Sequence, residues 1–182
     1  PHWQNHQHLI VIDVGGGSTE VIFGQDTQIV SRISVNTGAV KLTSAILRSD
    51  PPTIAQLSNA NLEAKRQFEG VPFGYDPASA VVVGVGGTLS NLSAMEFGKF
   101  VTAETLHGYE LSLDALEYRM EQLATLTIEQ RKTVGGLDPK RADIILGGAI
   151  LLAQALAHLG SNKIAVSTRG LRWGVLYDRF LL

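Results

Sequence analysis

The pattern of apolar and polar residues predicts three strands near the start of the chain. The continuous apolar run HLIVIDV at 8–14 is typical of a buried strand. Two further runs occupy 18–23 and 28–35, and the second of them alternates apolar and polar positions. Glycine and aspartate at 24–26 predict the turn between these two runs. We therefore expect an antiparallel meander of three strands.

Beyond the meander, helices and strands alternate. Helical periodicity predicts helices at 38–47, 53–68, 89–97, 113–126, 139–158 and from 170 onward. Helix starts are marked by Thr53, Ser112 and Asp138 with Pro139, and Gly160 marks a helix end. Short apolar runs predict strands at 80–85 and 163–166, and the first of these is expected to end in a glycine turn at 86–88. Strands followed by crossover helices indicate an α/β fold with a mixed sheet, in which parallel strands join the antiparallel meander.

Composition narrows the range of partners and locations. The 182 residues carry a net charge of −2, so no general basic field attracts nucleic acid or a membrane surface. The absence of cysteine excludes disulfides and thiolate metal sites. The first residues lack the features of a signal peptide, and the apolar run at 144–159 is too short and polar to span a bilayer. We expect a cytoplasmic protein with no nucleic-acid or membrane partner.

The chain starts at Pro1 and enters a core strand within a dozen residues. We interpret 1–182 as a single lobe of a longer polypeptide.

The stretch VIDVGGGSTEVIF at 11–23 contains the first candidate site. If Gly16 and Gly17 form a two-residue hairpin loop, Asp13 and Glu20 lie directly opposite each other on one face of the sheet. Two carboxylates so placed destabilise the hairpin unless a neutral or positive group lies between them, and a hard divalent cation does this well. Mg²⁺ accepts one or two carboxylates and completes its shell with water and phosphate oxygens. Asp13 and Glu20 are therefore candidate metal ligands.

The glycine loop between these acids suits a phosphate group. Glycines lack Cβ, so the backbone can approach an anion closely and direct N–H groups toward it. The candidate phosphate contacts of this loop are Gly15, Gly16, Gly17, Ser18 and Thr19. The alternative is an ordinary hairpin with solvated acids, although a carboxylate ending a fully apolar strand requires a partner.

A second glycine turn supplies Gly86, Gly87 and Thr88 as further candidates. The segment fits neither the dinucleotide pattern nor the P-loop pattern. It would bind phosphate at the N-terminus of the following helix. The alternative is close packing between a strand and a helix.

Basic residues complete the candidate set. Lys41 stands at the start of a predicted helix, and Arg169 and Arg172 flank Gly170 just after a predicted strand. Arginine forks suit phosphate, but such residues are more often simply solvated. The histidines, His107 and the N-terminal His2, His6 and His8, are interpreted as structural or incidental.

Several segments in this order resemble one known family, the exopolyphosphatase/guanosine pentaphosphate phosphatase (Ppx/GppA) family. The resemblance rests on VIDVGGGSTE, TGAVKLTSAIL, VGVGGTLSNLSAM, the helical stretch from LHGYELSLDALEYRM to GGAILL, and VSTRGLRWGVLYD. It covers nearly the whole chain, and it implies the second lobe of a ribonuclease H-like, actin-like ATPase-type fold.

The resemblance also implies an activity and residue roles. Such enzymes hydrolyse a terminal phosphoanhydride of inorganic polyphosphate or guanosine pentaphosphate with Mg²⁺ or Mn²⁺, in a cleft between two lobes. Asp13 and Glu20 match the metal-associated acids, residues 15–18 match the phosphate loop, and Arg169 matches a C-terminal arginine facing phosphate. The matches of Lys41, Arg172 and residues 86–88 are weaker.

The resemblance assigns the catalytic base to a glutamate of the first lobe. No D-x-G-S-N segment typical of that lobe occurs in this chain, so we expect little turnover from the chain alone. Thr168 and Trp173 stand where the family has Asp and Glu. A non-catalytic phosphate-binding regulator and a sugar kinase or ATPase of the same superfamily remain alternatives. The preferred substrate and the oligomeric state, with a homodimer as one alternative, are left open.

Overall fold

The computed structural model describes residues 8–26, 28–72 and 80–180. Within these residues, strands form one mixed sheet in the order β3-β2-β1-β4-β6-β5. The strands are β1 (His8–Val14), β2 (Thr19–Gln25), β3 (Gln28–Val35), β4 (Val81–Val85), β5 (Glu110–Ser112) and β6 (Lys163–Val166). The helices are α1 (Ala39–Ile46), α2 (Ile54–Glu69), α3 (Gly86–Glu96), α4 (Ala103–Leu106), α5 (Leu113–Thr125), α6 (Ile128–Arg131), α7 (Ile145–His158) and α8 (Leu171–Phe180).

The sheet confirms the predicted fold class. Strands β1, β2 and β3 form the antiparallel meander, whereas β1, β4 and β6 run parallel to one another. The short β5 adds an antiparallel edge to β6. Because β1, β4 and β6 are parallel, their carboxyl ends meet at one edge of the sheet, where α/β folds bind ligands.

The main core lies on one face of the sheet and surrounds α7, whereas Val83 and Ala165 form a small separate apolar cluster. Ile10, Ile12 and Val14 alternate along β1 and are buried, as a strand with one core face requires. Nearly every side chain of α7 is buried, and the helix packs against α1, α2, α3 and α5. A helix that is apolar on all sides is the expected centre of such a layer.

Several capping residues fulfil the roles predicted from sequence. Thr53 accepts a hydrogen bond from the backbone of Gln56, whose side chain in turn accepts one from the Thr53 N–H, forming a capping box at the start of α2. Ser112 caps α5 through the N–H of Ala115. Gly160, with a φ of 63°, ends α7.

Two predicted boundaries are wrong. The helix expected at 89–97 begins at Gly86, so residues 86–88 form its first turn and not a separate loop. The helix expected at 139–158 is interrupted: Pro139–Arg141 is a 3-10 turn capped by Asp138, and α7 begins only at Ile145. The short elements α4, β5 and α6 show no periodicity and are not predicted, whereas the four-residue β6 is predicted from its apolar run.

The segment between α6 and α7 is held against α3 by two glycines. Gly136 has a φ of 88°, and a Cβ there would lie 2.5 Å from the carbonyl carbon of Ala94 and 2.7 Å from the backbone nitrogen of Met95. A Cβ at Gly135 would overlap the backbone of Gly98. This contact fixes the segment that leads into the Pro139–Arg141 turn.

No helix among the described residues is long and apolar enough to cross a membrane.

We predict that Gly136→Ala lowers the free energy of unfolding by about 2–4 kcal/mol, because an unfavourable left-handed backbone adds to overpacking against α3. Gly160→Ala is the matched control, since Gly160 also has a positive φ but a Cβ added to it would meet no atom within 4 Å. The control should lose only about 1–2 kcal/mol. Urea unfolding of both variants measures the difference, and equal losses would show that the contact with α3 contributes nothing.

Candidate active site

The first glycine turn is the two-residue hairpin predicted from sequence. Asp13 pairs with Glu20, and Val14 pairs with Thr19. The N–H of Gly15 donates to the carbonyl oxygen of Ser18 at 3.0 Å, which closes the loop around Gly16 and Gly17. The predicted pairing of Asp13 with Glu20 across the hairpin is therefore confirmed.

The first turn of α1 holds this loop by its carbonyl groups. The N–H of Ala39 donates to the Gly15 oxygen at 2.9 Å, and the N–H groups of Val40 and Lys41 donate to the Gly16 oxygen at 3.0 and 3.2 Å. The helix has no side-chain cap, so the loop carbonyls satisfy its free N–H groups. The N-terminus of α1 is thus occupied by the chain itself.

This arrangement determines where the loop amides point. In a trans peptide the N–H lies opposite the C=O, so carbonyls directed at α1 turn the N–H groups of Gly16 and Gly17 away from it. Neither N–H has a hydrogen-bond partner among the described residues. They are available donors for an anion.

Gly38 permits the close approach of α1 to the loop. A Cβ at Gly38 would lie 2.5 Å from the carbonyl carbon and oxygen of Gly16 and 2.6 Å from the nitrogen of Gly17. These are backbone atoms and cannot move aside as the end of a side chain can. Any larger residue would therefore displace the loop.

Asp13 ends β1 in a half-buried position beside the start of α3. Its strand partner in β4 is Val85, and the Oδ1 atom occupies the space where a Cβ of Gly86 would lie. Among the residues that the structure describes, the carboxylate has no hydrogen-bond or ion-pair partner. Burial raises the pKa of Asp13, and the neighbouring charge of Glu20 raises it further.

Glu20 is held by two serine hydroxyls. Its Oε1 atom accepts hydrogen bonds from Ser18 Oγ at 2.7 Å and from Ser34 Oγ at 2.9 Å. The hydroxyl of Ser18 is therefore directed at Glu20. Together with Asp13, Glu20 supplies hard oxygen donors across the hairpin.

The second wall of the site is the N-terminal turn of α3. Gly86 and Gly87 begin the helix, which has no side-chain cap. Thr88 is only 3% exposed, and its hydroxyl donates to the carbonyl oxygen of Val14 at 2.9 Å. Thr88 thereby joins the start of α3 to the end of β1.

A pocket of about 130 Å³ lies between these walls. It is lined by Asp13, Val14, Gly15, Gly16, Ala39, Gly87, Thr88, Arg141 and Ile144. The structure thus brings together one predicted acid, two loop glycines and two residues of the second glycine turn.

Arg141 is the charged residue of this pocket that the sequence did not indicate as a site residue. Its guanidinium lies against Gly87, in space that a Cβ there would fill. It has no hydrogen bond or ion pair among the described residues. A single arginine before an apolar helix has no motif of its own. The Asp138-Pro139 cap and the helical stretch of the family resemblance marked this segment, but neither singled out Arg141. A half-buried cation without a partner suits phosphate.

The other predicted basic residues lie outside the pocket lining. The Lys41 ammonium donates to Asn36 Oδ1 at 2.5 Å. Arg169 is exposed, and its guanidinium lies 5.5 Å from the ring centroid of Trp173. Arg172 is exposed on α8. None of the three side chains lines the pocket that contains Asp13 and the loop glycines, although the backbone N–H of Lys41 bonds the loop at Gly16.

Thr19 and the histidines have other surroundings. Thr19 is fully buried, and its hydroxyl donates to the Thr37 carbonyl at 2.8 Å, so it does not reach the loop surface. The Nδ1 atom of His107 accepts the N–H of Thr168 at 3.3 Å. His2 and His6 lie outside the described residues, and His8 is in β1.

The donor set fits a hard divalent cation, although not a histidine-rich site. No group of three or more His, Asp or Glu side chains able to hold a metal occurs in the described part of the chain. Asp13 and Glu20 are therefore the two candidate metal ligands of this chain. The Asp13 carboxylate has no partner among the described residues to offset its charge. Mg²⁺ requires few carboxylates when phosphate and water complete its shell.

A family model described as the Ppx/GppA phosphatase family matches residues 1–182. The chain belongs to the Ppx/GppA phosphatase family. It is 32% identical over 183 residues to Exopolyphosphatase 2 of Mycobacterium tuberculosis, covering 92% of this chain and 54% of that protein. It is 23% identical over 170 residues to the guanosine-5'-triphosphate,3'-diphosphate pyrophosphatase of Vibrio cholerae, covering 93% of this chain and 33% of that protein.

The crystal structure of the Aquifex aeolicus member of the Ppx/GppA family superposes with a TM-score of 0.90 at 28% identity. The match covers 98% of this chain and 57% of that one. The predicted actin-like ATPase-type fold is thereby confirmed. The chain spans about half the length of Exopolyphosphatase 2 and of this solved relative, and a third of the Vibrio protein.

We predict that Gly38→Ala shifts the backbone amide resonances of Gly16 and Gly17 and lowers the free energy of unfolding by about 1–3 kcal/mol through overpacking. The control is Gly70→Ala, because a Cβ at Gly70 meets nothing within 4 Å. Amide NMR spectra and urea unfolding of both variants provide the comparison. Unchanged loop resonances in the Gly38 variant would show that α1 does not position the loop.

We also predict that Asp13→Asn raises the urea midpoint at pH 7. Since the pKa of Asp13 is higher in the folded protein than its ordinary 3.8, its favourable contribution exists below pH 3.8 and is lost as the pH rises through the folded pKa. At neutral pH the charged form destabilises the fold, and the amide removes that effect. The advantage should shrink toward pH 4.

The control for this measurement is Asp178→Asn on the exposed α8, which should leave the midpoint unchanged. A lower midpoint for Asp13→Asn would mean that the carboxylate has a stabilising partner in the fold.

Proposed function

We propose that this chain forms the metal-binding half of a phosphoanhydride hydrolase that removes the terminal phosphate of inorganic polyphosphate or guanosine pentaphosphate. The observation that carries the proposal is the Asp13 carboxylate, which faces a pocket with loop glycines and Arg141 yet has no partner among the described residues. A half-buried, uncompensated carboxylate opposite another acid is costly in a purely structural hairpin. Family membership supports the same chemistry.

In this proposal the chain binds the negative charge of the substrate with fixed donors. The free N–H groups of Gly16 and Gly17 and the guanidinium of Arg141 contact non-bridging phosphate oxygens. These groups are in place before the substrate arrives, which is the arrangement that stabilises charge in a transferring phosphoryl group.

Asp13 and Glu20 would hold Mg²⁺ or Mn²⁺ in this site. When bound, the cation neutralises charge on the phosphoryl oxygens. Ser18 and Ser34 orient Glu20 toward the hairpin face that it shares with Asp13. The metal, like the substrate, is part of the proposal.

The general base and the opposite wall are assigned to a further lobe of the same protein. The relatives named above are about two to three times as long as the part that this chain matches. The apolar side chains of α8 are at least half exposed, which is unusual for a helix that contacts only solvent on that face. They are Leu171, Trp173, Val175, Leu176, Tyr177 and Phe180. A cytoplasmic location is included in the proposal.

The first test is phosphate release from long-chain polyphosphate and from guanosine pentaphosphate, with Mg²⁺ and without ATP. The longer protein should release phosphate, and this chain alone should bind the substrate with little turnover. Asp13→Ala and Glu20→Ala in the longer protein should each reduce kcat/KM by about 100-fold or more, on the order of one lost transition-state contact. Mg²⁺ should raise the urea midpoint of the wild type and not of Asp13→Asn.

Near-normal turnover in both alanine variants would overturn the metal-site proposal. Substrate binding by the longer protein without any phosphate release would favour the regulator alternative. Release that requires ATP would favour a kinase or ATPase.

A further inference from the structure

Asn91 joins the two segments that form the Arg141 side of the pocket. It lies on α3, one turn after Gly87, and is half-buried. Its Nδ2 donates to the Gly87 carbonyl at 2.8 Å, and its Oδ1 accepts the N–H of Asp138 at 2.6 Å. A single side-chain amide therefore connects the start of α3 to a segment 47 residues further along the chain.

Asp138 in turn positions the backbone of Arg141. The Asp138 carbonyl accepts the N–H of Arg141 at 2.8 Å, and its Oδ1 caps the N–H of Lys140 at 3.0 Å. The Pro139–Arg141 turn is thus built on the backbone of Asp138. Any movement of Asp138 relative to α3 moves the turn that presents the guanidinium.

Asn91 is also bonded to Gly87, the residue that the guanidinium of Arg141 contacts. Gly87 has no Cβ, and the Arg141 side chain fills the space where one would lie. Asn91 bonds the carbonyl of this same glycine. The Asn91 amide therefore links the origin of the Arg141 side chain with the surface that its charged end contacts.

We propose that Asn91 is a positioning residue that holds Arg141 over the phosphate pocket. The inference rests on the proposed function, since it assigns the guanidinium to phosphate. Asn91 itself does not line the pocket, so its effect on an anion must pass through Arg141. Arginine forks depend on orientation, which makes them sensitive to a small displacement.

The chain offers a matched control for Asn91. Asn61 on α2 makes a comparable pair of bonds: its Nδ2 donates to the Leu57 carbonyl at 2.9 Å, and its Oδ1 accepts from the side-chain Nε2 of Gln154 at 3.1 Å. Both residues bridge a helix turn to a distant segment, but Asn61 bonds neither Gly87 nor the Asp138 backbone. Truncating it removes a similar structural contribution without affecting Arg141.

The test measures the affinity of this chain for tripolyphosphate in the presence of Mg²⁺, by calorimetry, for five proteins. They are the wild type, Asn91→Ala, Asn61→Ala, Arg141→Ala, and the double variant of Asn91 and Arg141. Asn91→Ala should weaken binding roughly 5- to 50-fold, as coupled neighbours do. Asn61→Ala should bind as the wild type does. The double variant should bind no more weakly than Arg141→Ala, because Asn91 acts only through the guanidinium.

In the longer protein, Asn91→Ala should raise KM more than it lowers kcat, which a general loss of stability would not produce. If Asn91→Ala does not fold, Asp138→Ala perturbs the same turn without changing α3 and should give the same non-additive pattern with Arg141→Ala.

Wild-type affinity in Asn91→Ala, or equal weakening by Asn91→Ala with and without Arg141, would overturn this inference alone. A wild-type protein that does not bind tripolyphosphate would overturn the proposed function as well.

Discussion

The hydrogen bonds from the first turn of α1 to the carbonyls of Gly15 and Gly16 determine the geometry of the whole site. A loop with three adjacent glycines would otherwise sample many conformations, because glycine loses more backbone freedom on ordering than any other residue. Here folding orders the loop, so binding does not have to. The position of α1 depends in turn on α7, where Gly147 and Gly148 leave room for Ala39 and for Thr88. The central apolar helix therefore supports both walls of the pocket.

The unpaired charge of Asp13 in the site destabilises the folded protein. Asp13 ends a strand whose neighbouring residues are apolar, and the fold supplies no partner for its charge within the described residues. Burial and Glu20 both raise its pKa, which means that the charged form is held at a cost. Proteins tolerate such costs mainly where a group must later interact with a ligand. The surrounding core, with α7 buried along nearly its whole length, is what can sustain this local penalty.

Local chemistry in the sequence predicted the hairpin and most of the helix boundaries. The Gly16-Gly17 loop fixed the register of β1 and β2, since a two-residue loop leaves one pairing, and this placed Asp13 opposite Glu20. Ser112 and Thr53 marked helix starts because they satisfy free N–H groups. Arg141 could not be found in this way. Its place beside Gly87 results from packing between α3 and a segment distant in sequence. No residue close to Arg141 in the sequence indicates that contact. The prediction that residues 86–88 form a separate turn failed for a related reason, since glycine signals a turn and a helix start equally well.

Two independent constraints require glycine at position 86, its positive φ and the space occupied by Asp13. The two constraints permit different substitutions in related sequences. A positive φ by itself tolerates asparagine, which visits left-handed backbone more readily than other residues with a side chain. Gly160, which ends α7 with open space around it, is under that constraint alone and should accept asparagine in homologous chains. At Gly86 the φ is 88° and the Asp13 carboxylate fills the space beside the Cα, so asparagine, like alanine, would have to displace that carboxylate. A relative that has another residue in place of Gly86 is therefore expected to hold its equivalent of Asp13 in a different position, and this can be recognised from its sequence alone.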